Sequence, residues 1–237
     1  MQDLGTLGGD YSAATAVNNG GRVVGESRTT TGQIHAFLWD DGVMTDLGTL
    51  GGTSSTARGI SESGAVIGTS TDGAAVAHAF LWQDGVMRDL GELPGFTTST
   101  ALAINNAGQV VGQAFPASGV EAHGVLWTRD GVEDLGSFNN APFKPQTVPV
   151  ALNERGQVVG WSKFNISPHT FLWQHGVLQD LGALDLTPGD PNRNRHVVSQ
   201  ANAVNERGDV VGYDAGDTSI DTRHAVLWRR APGAGHP

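Results

Sequence analysis

The dominant hydrophobic pattern of the chain is a five-residue apolar segment that recurs along its length. Residues 35–39 read His-Ala-Phe-Leu-Trp, and four related segments follow, each starting with His and ending with Leu-Trp. The repeated His residues are His35, His78, His123, His169 and His224. A spacing of roughly 40–55 residues is typical of solenoids, β-propellers and other repeat arrays.

Each repeat contains four short strand signals. In the first repeat these are residues 14–18, 22–25, 35–39 and 43–48. The first two are joined by Asn-Asn-Gly-Gly, a sequence that suits a tight hairpin whose last Gly takes a positive φ. An Asp-Gly turn separates the third from the fourth. No segment shows a helical period over 11 or more residues, so the pattern predicts an all-β fold.

The architecture follows from the first residues of the sequence. Residues 2–7 repeat the fourth-strand motif before any first strand, and the last repeat has three strands followed by no fourth. We therefore predict that residues 2–7 complete the last sheet and close a five-bladed β-propeller, whereas a solenoid or open array would not need complementary ends. The predicted single domain is 1–237, with blades at about 14–50, 57–93, 101–138, 150–184 and 199–228, the last completed by 2–7.

Composition narrows the classes of partner. The net charge of −10 argues against nucleic-acid binding, because contacts to phosphates need a basic face. The chain has no Cys, so disulfides and thiol chemistry are excluded. No apolar run is long enough to span a bilayer, and no signal peptide precedes the repeats in the sequence. We expect a monomer without a cofactor and without membrane insertion.

The repeats resemble a known family. The segment from His35 to Gly52, together with the Gly-Gln-Val-Val-Gly hairpins at residues 108–112 and 156–160, is similar to the HAF repeat family of probable extracellular bacterial proteins. The resemblance covers nearly the whole chain and weakens in the third repeat and in the last, which has a long insertion. It implies secretion or display at the cell surface, and it implies no particular activity.

Differences between the repeats indicate where a ligand binds. The hairpin turns keep nearly constant length, whereas the connections at the other end of the predicted propeller lengthen towards blades four and five. Trp161 and Tyr213 stand where the other repeats have Glu26, Thr69 and Gln113. Aromatic faces beside amide and guanidinium donors suit a polyol or an acidic sugar. The predicted ligand-binding residues are Trp161, Tyr213, Arg193, Arg195, His196, Phe143, Lys144 and Asn192.

Five His residues at matched positions are one feature from which a metal site or a catalytic site can be argued. A His that recurs once per blade, beside one Asp and one Trp, is better explained as a partner of buried backbone groups in a repeated hydrogen-bond network. We therefore predict no metal site.

Three classes of function remain open at this stage. The first is a propeller with one asymmetric pocket for a carbohydrate or another polar or anionic small molecule. The second is an enzyme of the lyase, isomerase or cyclase type that uses the same pocket, with catalytic residues that the sequence leaves unknown. The third is a structural surface repeat protein that binds no small molecule.

Overall fold

The computed structural model describes residues 1–119, 121–138, 146–164, 167–182, 198–215 and 223–229. Every regular element in these ranges is a β-strand, which confirms the predicted all-β class. The strands form five antiparallel sheets of the kind that make propeller blades, four with four strands and one with three. The described ranges contain no helix capable of crossing a lipid bilayer.

Each sheet is a meander in which consecutive strands are neighbours. The first contains β1 (Gly8–Val17), β2 (Val23–Thr29), β3 (Ile34–Asp40) and β4 (Val43–Asp46). The second contains β5 (Gly51–Ile60), β6 (Val66–Asp72), β7 (Ala77–Gln83) and β8 (Val86–Asp89). The third contains β9 (Thr98–Ile104), β10 (Val110–Phe115), β11 (His123–Thr128) and β12 (Gly131–Asp134).

The fourth sheet contains β13 (Thr147–Leu152), β14 (Val158–Phe164), β15 (Ser167–Gln174) and β16 (Val177–Asp180). The fifth contains β17 (Ser199–Val204), β18 (Val210–Asp214) and β19 (His224–Trp228). The chain divides into two compact units. One consists of residues 1–119 and 125–133, and the other of residues 120–124 and 134–237.

The turns between first and second strands have the predicted geometry. Gly21 has a φ of 79°, and its amide donates to the carbonyl of Asn18 at 3.1 Å. The Asn18 side chain accepts from the Arg22 amide at 3.0 Å, which fixes the start of the turn. Positive φ recurs at the matched glycines Gly64, Gly108, Gly156 and Gly208. Glycine serves here because positive φ carries no steric cost without a Cβ.

The first strands of the first two sheets begin earlier than the predicted blade boundaries. β1 begins at Gly8 rather than at residue 14, and β5 at Gly51 rather than at residue 57. Gly8 pairs with Thr29 and Gly51 with Asp72, so the Leu-Gly-Gly segments extend the sheets instead of forming loops. The sequence pattern missed this because Gly and Ser give no strand signal of their own.

The fourth strands are shorter than predicted, and this changes the account of residues 2–7. β4 ends at Asp46, where the side chain accepts a hydrogen bond from the Gly48 amide at 2.8 Å and turns the chain. Asp3 does the same for the Gly5 amide at 2.9 Å. Residues 2–7 therefore form no strand in the structure, and the sheet of β17 to β19 has three strands among the described residues.

Within each compact unit, apolar clusters lie between neighbouring sheets. Val24, Ala36 and Leu47 of the first sheet pack with Ala57, Val66 and Phe80 of the second. A second cluster joins the second sheet to the third around Ile67, Val110 and Trp127. Within the other unit, Val159 of the fourth sheet packs with Ala201 and Val210 of the fifth. Phe37, Phe80 and Phe171, each on a third strand, are fully buried.

A hydroxyl on the first strand of one sheet binds the third strand of the preceding sheet. The amide of Ala36 donates to Ser55 Oγ at 2.8 Å, and Ser55 in turn donates to the carbonyl of Gly48. The amides of Ala79 and Thr170 donate in the same way to Ser99 at 2.9 Å and Ser199 at 2.8 Å. These bonds satisfy buried backbone groups and link neighbouring sheets, a role that the sequence analysis had given to the repeated His.

Replacing Ser55 with Ala is expected to lower the free energy of unfolding by about 1–3 kcal/mol, because the fully buried amide of Ala36 loses its acceptor. Denaturant titration of the purified protein measures this change. Ser55→Thr is the control, because Thr147 occupies the matched position in the fourth sheet and donates to the Gly136 carbonyl at 2.7 Å. Equal losses from both substitutions would show that the hydroxyl is not the cause.

Candidate functional site

The structure describes two of the eight predicted ligand-binding residues, Trp161 and Tyr213. The other six fall outside the described residues, so their positions stay predictions. They are Phe143, Lys144, Asn192, Arg193, Arg195 and His196. The site is therefore built below from the strands that carry the two aromatic residues, both of which belong to the same compact unit.

Trp161 and Tyr213 occupy equivalent positions in neighbouring sheets. Trp161 on β14 lies opposite Val148, and Tyr213 on β18 lies opposite Gln200. In each case the first strand has a register shift after the next residue pair, as it does in the second and third sheets. The strand pairing thus confirms that Trp161 and Tyr213 occupy matched positions in their sheets. Both side chains are half-buried, so part of each ring meets solvent.

The second sheet shows what a side chain at this position can reach. Thr69 is the matched residue there, and its hydroxyl bonds that of Thr100 on the first strand of the third sheet at 2.6 Å. Gln200 occupies the position of Thr100 in the fifth sheet, because each lies opposite the matched residue of its own second strand. By repeat equivalence we expect Trp161 to lie near Gln200, which is opposite Tyr213 in the fifth sheet.

An arginine that the sequence analysis did not single out covers the Tyr213 ring. The guanidinium carbon of Arg223 lies 4.7 Å from the ring centroid, within the range of a cation–π interaction. Arg223 is exposed, which leaves its N–H donors in contact with solvent. The sequence does contain a signal for Arg223, which directly precedes the repeated His224. In the other repeats this position holds an uncharged residue: Ile34, Ala77, Ala122 or Pro168.

Thr170 lies directly opposite Trp161 on the other side of β14. It stands where the other repeats have Ala36, Ala79, Gly124 and Ala225. The side chain is fully buried, and its hydroxyl has no hydrogen-bond partner among the described residues. Because Thr170 is paired with Trp161 but buried, a substitution of Thr170 serves as a control for a substitution of Trp161 in a ligand-binding experiment.

In the first, third and fourth sheets the repeated His pairs with a carboxylate, a contact that the expected network of backbone partners did not include. His35 Nδ1 lies 2.9 Å from Asp46 Oδ2, and the matched distances are 2.6 Å for His123 with Asp134 and 3.0 Å for His169 with Asp180. The Asp carboxylates also accept the amide of a glycine two residues later, at 2.8 Å. The pairs thereby fasten the end of each fourth strand to its third strand.

In the third and fourth sheets these contacts shift the pKa values of His123, Asp134 and Asp180. The hydrogen bond that His123 donates to Asp134 raises the pKa of His123 above its ordinary value, against the opposing effect of burial. Burial alone would raise the pKa of Asp134, but hydrogen bonds from His123 and the Gly136 amide outweigh it and lower the pKa. Asp180 shows the same balance with His169 and Gly182. The ionised form of each Asp is thus favoured in the fold.

The second sheet departs from this scheme. His78 Nδ1 lies 3.5 Å from Asp89 Oδ2 and 3.1 Å from Glu92 Oε1, so two carboxylates share one ring nitrogen. Burial raises the pKa of Glu92, although hydrogen bonds from Ser99 and His78 oppose the shift. The sequence analysis did not bring these residues together, although Glu92 is the only acidic residue after an Asp-Leu-Gly motif.

Comparison with known proteins bears on the fold alone. A scan of protein families finds no match for this chain, and a search of curated proteins finds none either. Among solved structures, acylaminoacyl peptidase from Pyrococcus horikoshii matches with 12% identity and a TM-score of 0.51, over 86% of this chain and 32% of that chain. The chain therefore spans about a third of the length of that peptidase.

A second solved structure, the Aleuria aurantia lectin in complex with alpha-methyl-L-fucoside, matches with 9% identity and a TM-score of 0.33. That match covers 94% of this chain and 91% of the lectin, and at this TM-score it carries no argument about function. The resemblance to the HAF repeat family, and the extracellular location that it implies, stay predictions.

Proposed function

We propose that the protein binds a polar small molecule, a carbohydrate with an acidic group, on the surface that carries Trp161, Tyr213 and Arg223. The observation that carries this proposal is the exposed guanidinium of Arg223 over the ring of Tyr213 at 4.7 Å. Stacking on the ring holds the planar guanidinium in one orientation, and its N–H donors can form paired hydrogen bonds to a carboxylate or a sulfate.

Trp161 supplies the second element of this surface. Its half-buried ring offers an apolar face of the kind on which the C–H groups of a sugar ring pack. The amide of Gln200, opposite Tyr213 in the ladder, adds a donor and an acceptor between the two aromatic residues. A surface with apolar faces, an amide and one cation selects a ligand that is polar, partly apolar on one side, and anionic.

Charge supports the same choice of ligand. The chain carries a net charge of −10, so Arg223 is a local cation on a protein that is acidic as a whole. Such a background repels large polyanions, while a local cation retains a small anion. Arg193 and Arg195 lie in the predicted loop between β16 and β17, and we propose that they add to the same surface.

Trp161→Ala is expected to weaken glycan binding about tenfold to 100-fold while leaving the fold intact, because it removes the exposed part of one stacking ring. A glycan array of neutral and acidic sugars identifies the ligand, and calorimetry then measures Kd. Arg223→Ala should weaken binding of acidic sugars more than of neutral ones. Gln113→Ala, at the matched position of the third sheet, and Thr170→Ala, beside Trp161 but buried, should leave Kd unchanged.

Two results would contradict this proposal. Binding that Trp161→Ala and Arg223→Ala leave unchanged would place the ligand elsewhere. Absence of binding across the array would favour a structural repeat protein instead.

We also propose that the sheets close into a five-bladed propeller through the first residues of the chain. The sequence Asp3-Leu4-Gly5 repeats Asp46-Leu47-Gly48, and the Asp3 side chain accepts the Gly5 amide as Asp46 accepts that of Gly48. In the first four repeats, an Asp stands eleven positions after the repeated His, as Asp46 does after His35. In the fifth repeat, the residue eleven positions after His224 is Gly235, so this repeat has no Asp of its own at that position. Asp3 would supply the missing partner, and residues 1–3 the fourth strand.

A further inference from the structure

A triad of possible metal ligands occurs in the second sheet, in the compact unit that does not contain Trp161. It consists of His78, Asp89 and Glu92, and one ligand atom from each lies within 4.8 Å of those of the other two. His78 and Glu92 are largely buried, with 14% and 16% of their side chains exposed. Asp89 is 44% exposed, so the group has one open side towards solvent.

The sequence of the repeats shows that the triad is an addition to a common framework. The residue after Asp-Leu-Gly is Thr49 in the first repeat and Ser137 in the third, whereas the second repeat has Glu92. In those two repeats the His and Asp are in direct hydrogen-bond contact, at 2.9 Å and 2.6 Å. The corresponding distance in the second sheet is 3.5 Å. The second carboxylate, Glu92, thus accompanies a wider separation between His78 and Asp89.

These separations suit a coordinated ion. Nitrogen and oxygen ligands about 2.1 Å from a tetrahedral zinc ion lie about 3.4 Å from each other. The distances from His78 Nδ1 to Glu92 Oε1 and Asp89 Oδ2 are 3.1 Å and 3.5 Å. One imidazole nitrogen and two carboxylate oxygens form a ligand set that zinc accepts, with a fourth position left for water.

A second observation points to a cation independently of the spacing. Glu92 Oε2 is buried and has no hydrogen-bond partner among the described residues. A buried carboxylate oxygen without a donor is costly, because it has lost its water and gained nothing in exchange. The other oxygen of Glu92 accepts from Ser99 Oγ at 2.6 Å, so the carboxylate is held in place with Oε2 unsatisfied. A cation that binds both oxygens would satisfy it.

The surroundings of His78 also match those of a metal ligand. Its other ring nitrogen, Nε2, lies 3.5 Å from Asp72 Oδ2. Metal-binding His residues commonly donate the second ring N–H to a carboxylate, which fixes the tautomer and leaves a lone pair for the ion. A bound ion would take the place of the Nδ1 proton that otherwise donates to Glu92: with the proton on Nε2, the lone pair of Nδ1 faces Asp89 and Glu92. Two carboxylates facing a lone pair repel it, and a cation between them removes this repulsion.

We propose that His78, Asp89 and Glu92 form a binding site for a divalent transition-metal ion of the zinc type. This site replaces the prediction of no metal made from the sequence, and it is independent of the ligand surface in the other unit. The bound ion would tie the end of β8 to β7 and to the segment that leads into the third sheet.

The test uses the full chain, freed of metal by chelation and titrated with Zn²⁺ by calorimetry. One Zn²⁺ per chain should bind, and Tm should rise with the Zn²⁺ concentration. Glu92→Thr restores the residue of the first repeat and should weaken Zn²⁺ binding at least tenfold. Asp89→Asn should do the same, while its side-chain oxygen can still accept the Gly91 amide that Asp89 accepts at 2.8 Å.

Asp46→Asn in the first repeat is the matched control and should leave Zn²⁺ binding unchanged, because Thr49 provides no third ligand there. Circular dichroism establishes that each variant is folded. Two results would overturn the proposal. One is a wild-type protein that takes up no Zn²⁺. The other is Zn²⁺ affinity equal to wild type in both folded second-repeat variants, which would place the ion at other His residues.

Discussion

Replacing Gly68 with Ala is expected to lower the free energy of unfolding by about 3 kcal/mol, one of the two largest effects we anticipate from a small change. Gly68 lies on β6 opposite Ala57, next to a register shift in β5. A Cβ at this position would overlap the carbonyl oxygen of Thr56 and lie 2.9 Å from both Ala57 Cα and Phe80 Cε1. Two of these three atoms are backbone, so relief requires the strands to separate.

Chemical denaturation of the single-site variant measures the loss. The control is Gly73→Ala in the turn after the same strand, where the nearest atom to an added Cβ is 3.8 Å away and φ is not in the positive region. That substitution should change stability by less than about 0.5 kcal/mol. Equal stability of the two variants would mean that β5 and β6 tolerate a wider spacing than the structure shows.

The same close approach recurs in all five sheets. A Cβ at the matched glycine of the second strand would overlap a backbone carbonyl of the first strand in each case. The glycines are Gly25, Gly68, Gly112, Gly160 and Gly212. The Gly that ends each Val-Val-Gly or Val-Ile-Gly motif is thus needed for contact between strands, which explains its presence in every repeat.

Removing residues 1–3 is expected to destabilise the protein by roughly 2–3 kcal/mol if the propeller closes as proposed, because two or three backbone hydrogen bonds to β19 would be lost. The exposed strand edge should also promote association between molecules. Thermal unfolding and size-exclusion chromatography of the truncated protein measure these two effects.

The short deletion is more informative than removal of residues 1–7. Leu7 donates its amide to Ser27 Oγ at 2.9 Å, and Ser12 donates to the Gly5 carbonyl at 2.8 Å. Deleting residues 4–7 would break these bonds within the first sheet and lower stability whether or not the propeller closes. A monodisperse protein with unchanged Tm after loss of residues 1–3 would refute closure.

The sequence was informative about the candidate site only where a repeat departs from its neighbours. Comparison of matched positions found Trp161 and Tyr213, and their register in the sheets agrees. The same comparison could have found Arg223 and Glu92, which also replace residues of different character. They were missed because their partners come from other strands. Nothing in the spacing of residues 78, 89 and 92 shows that they meet at one ring nitrogen.

The sequence by itself determined the class of fold, the five repeats and the hairpin turns. These features depend on local preferences: alternating apolar residues make strands, and Asn and Gly permit tight turns with positive φ. Interactions of this kind involve residues close together in the chain, so a repeated motif reports them directly.

The tertiary structure decided the remaining features. Only contacts between strands showed that Ser55 binds the Ala36 amide, that His35 faces Asp46, and that Gly8 and Gly51 lie within strands. In each case the deciding contact joins residues far apart in sequence, or places a residue with weak strand preference beside a partner that holds it. The energy that fixes these positions comes from hydrogen bonds and burial between strands, which no single segment of the sequence contains.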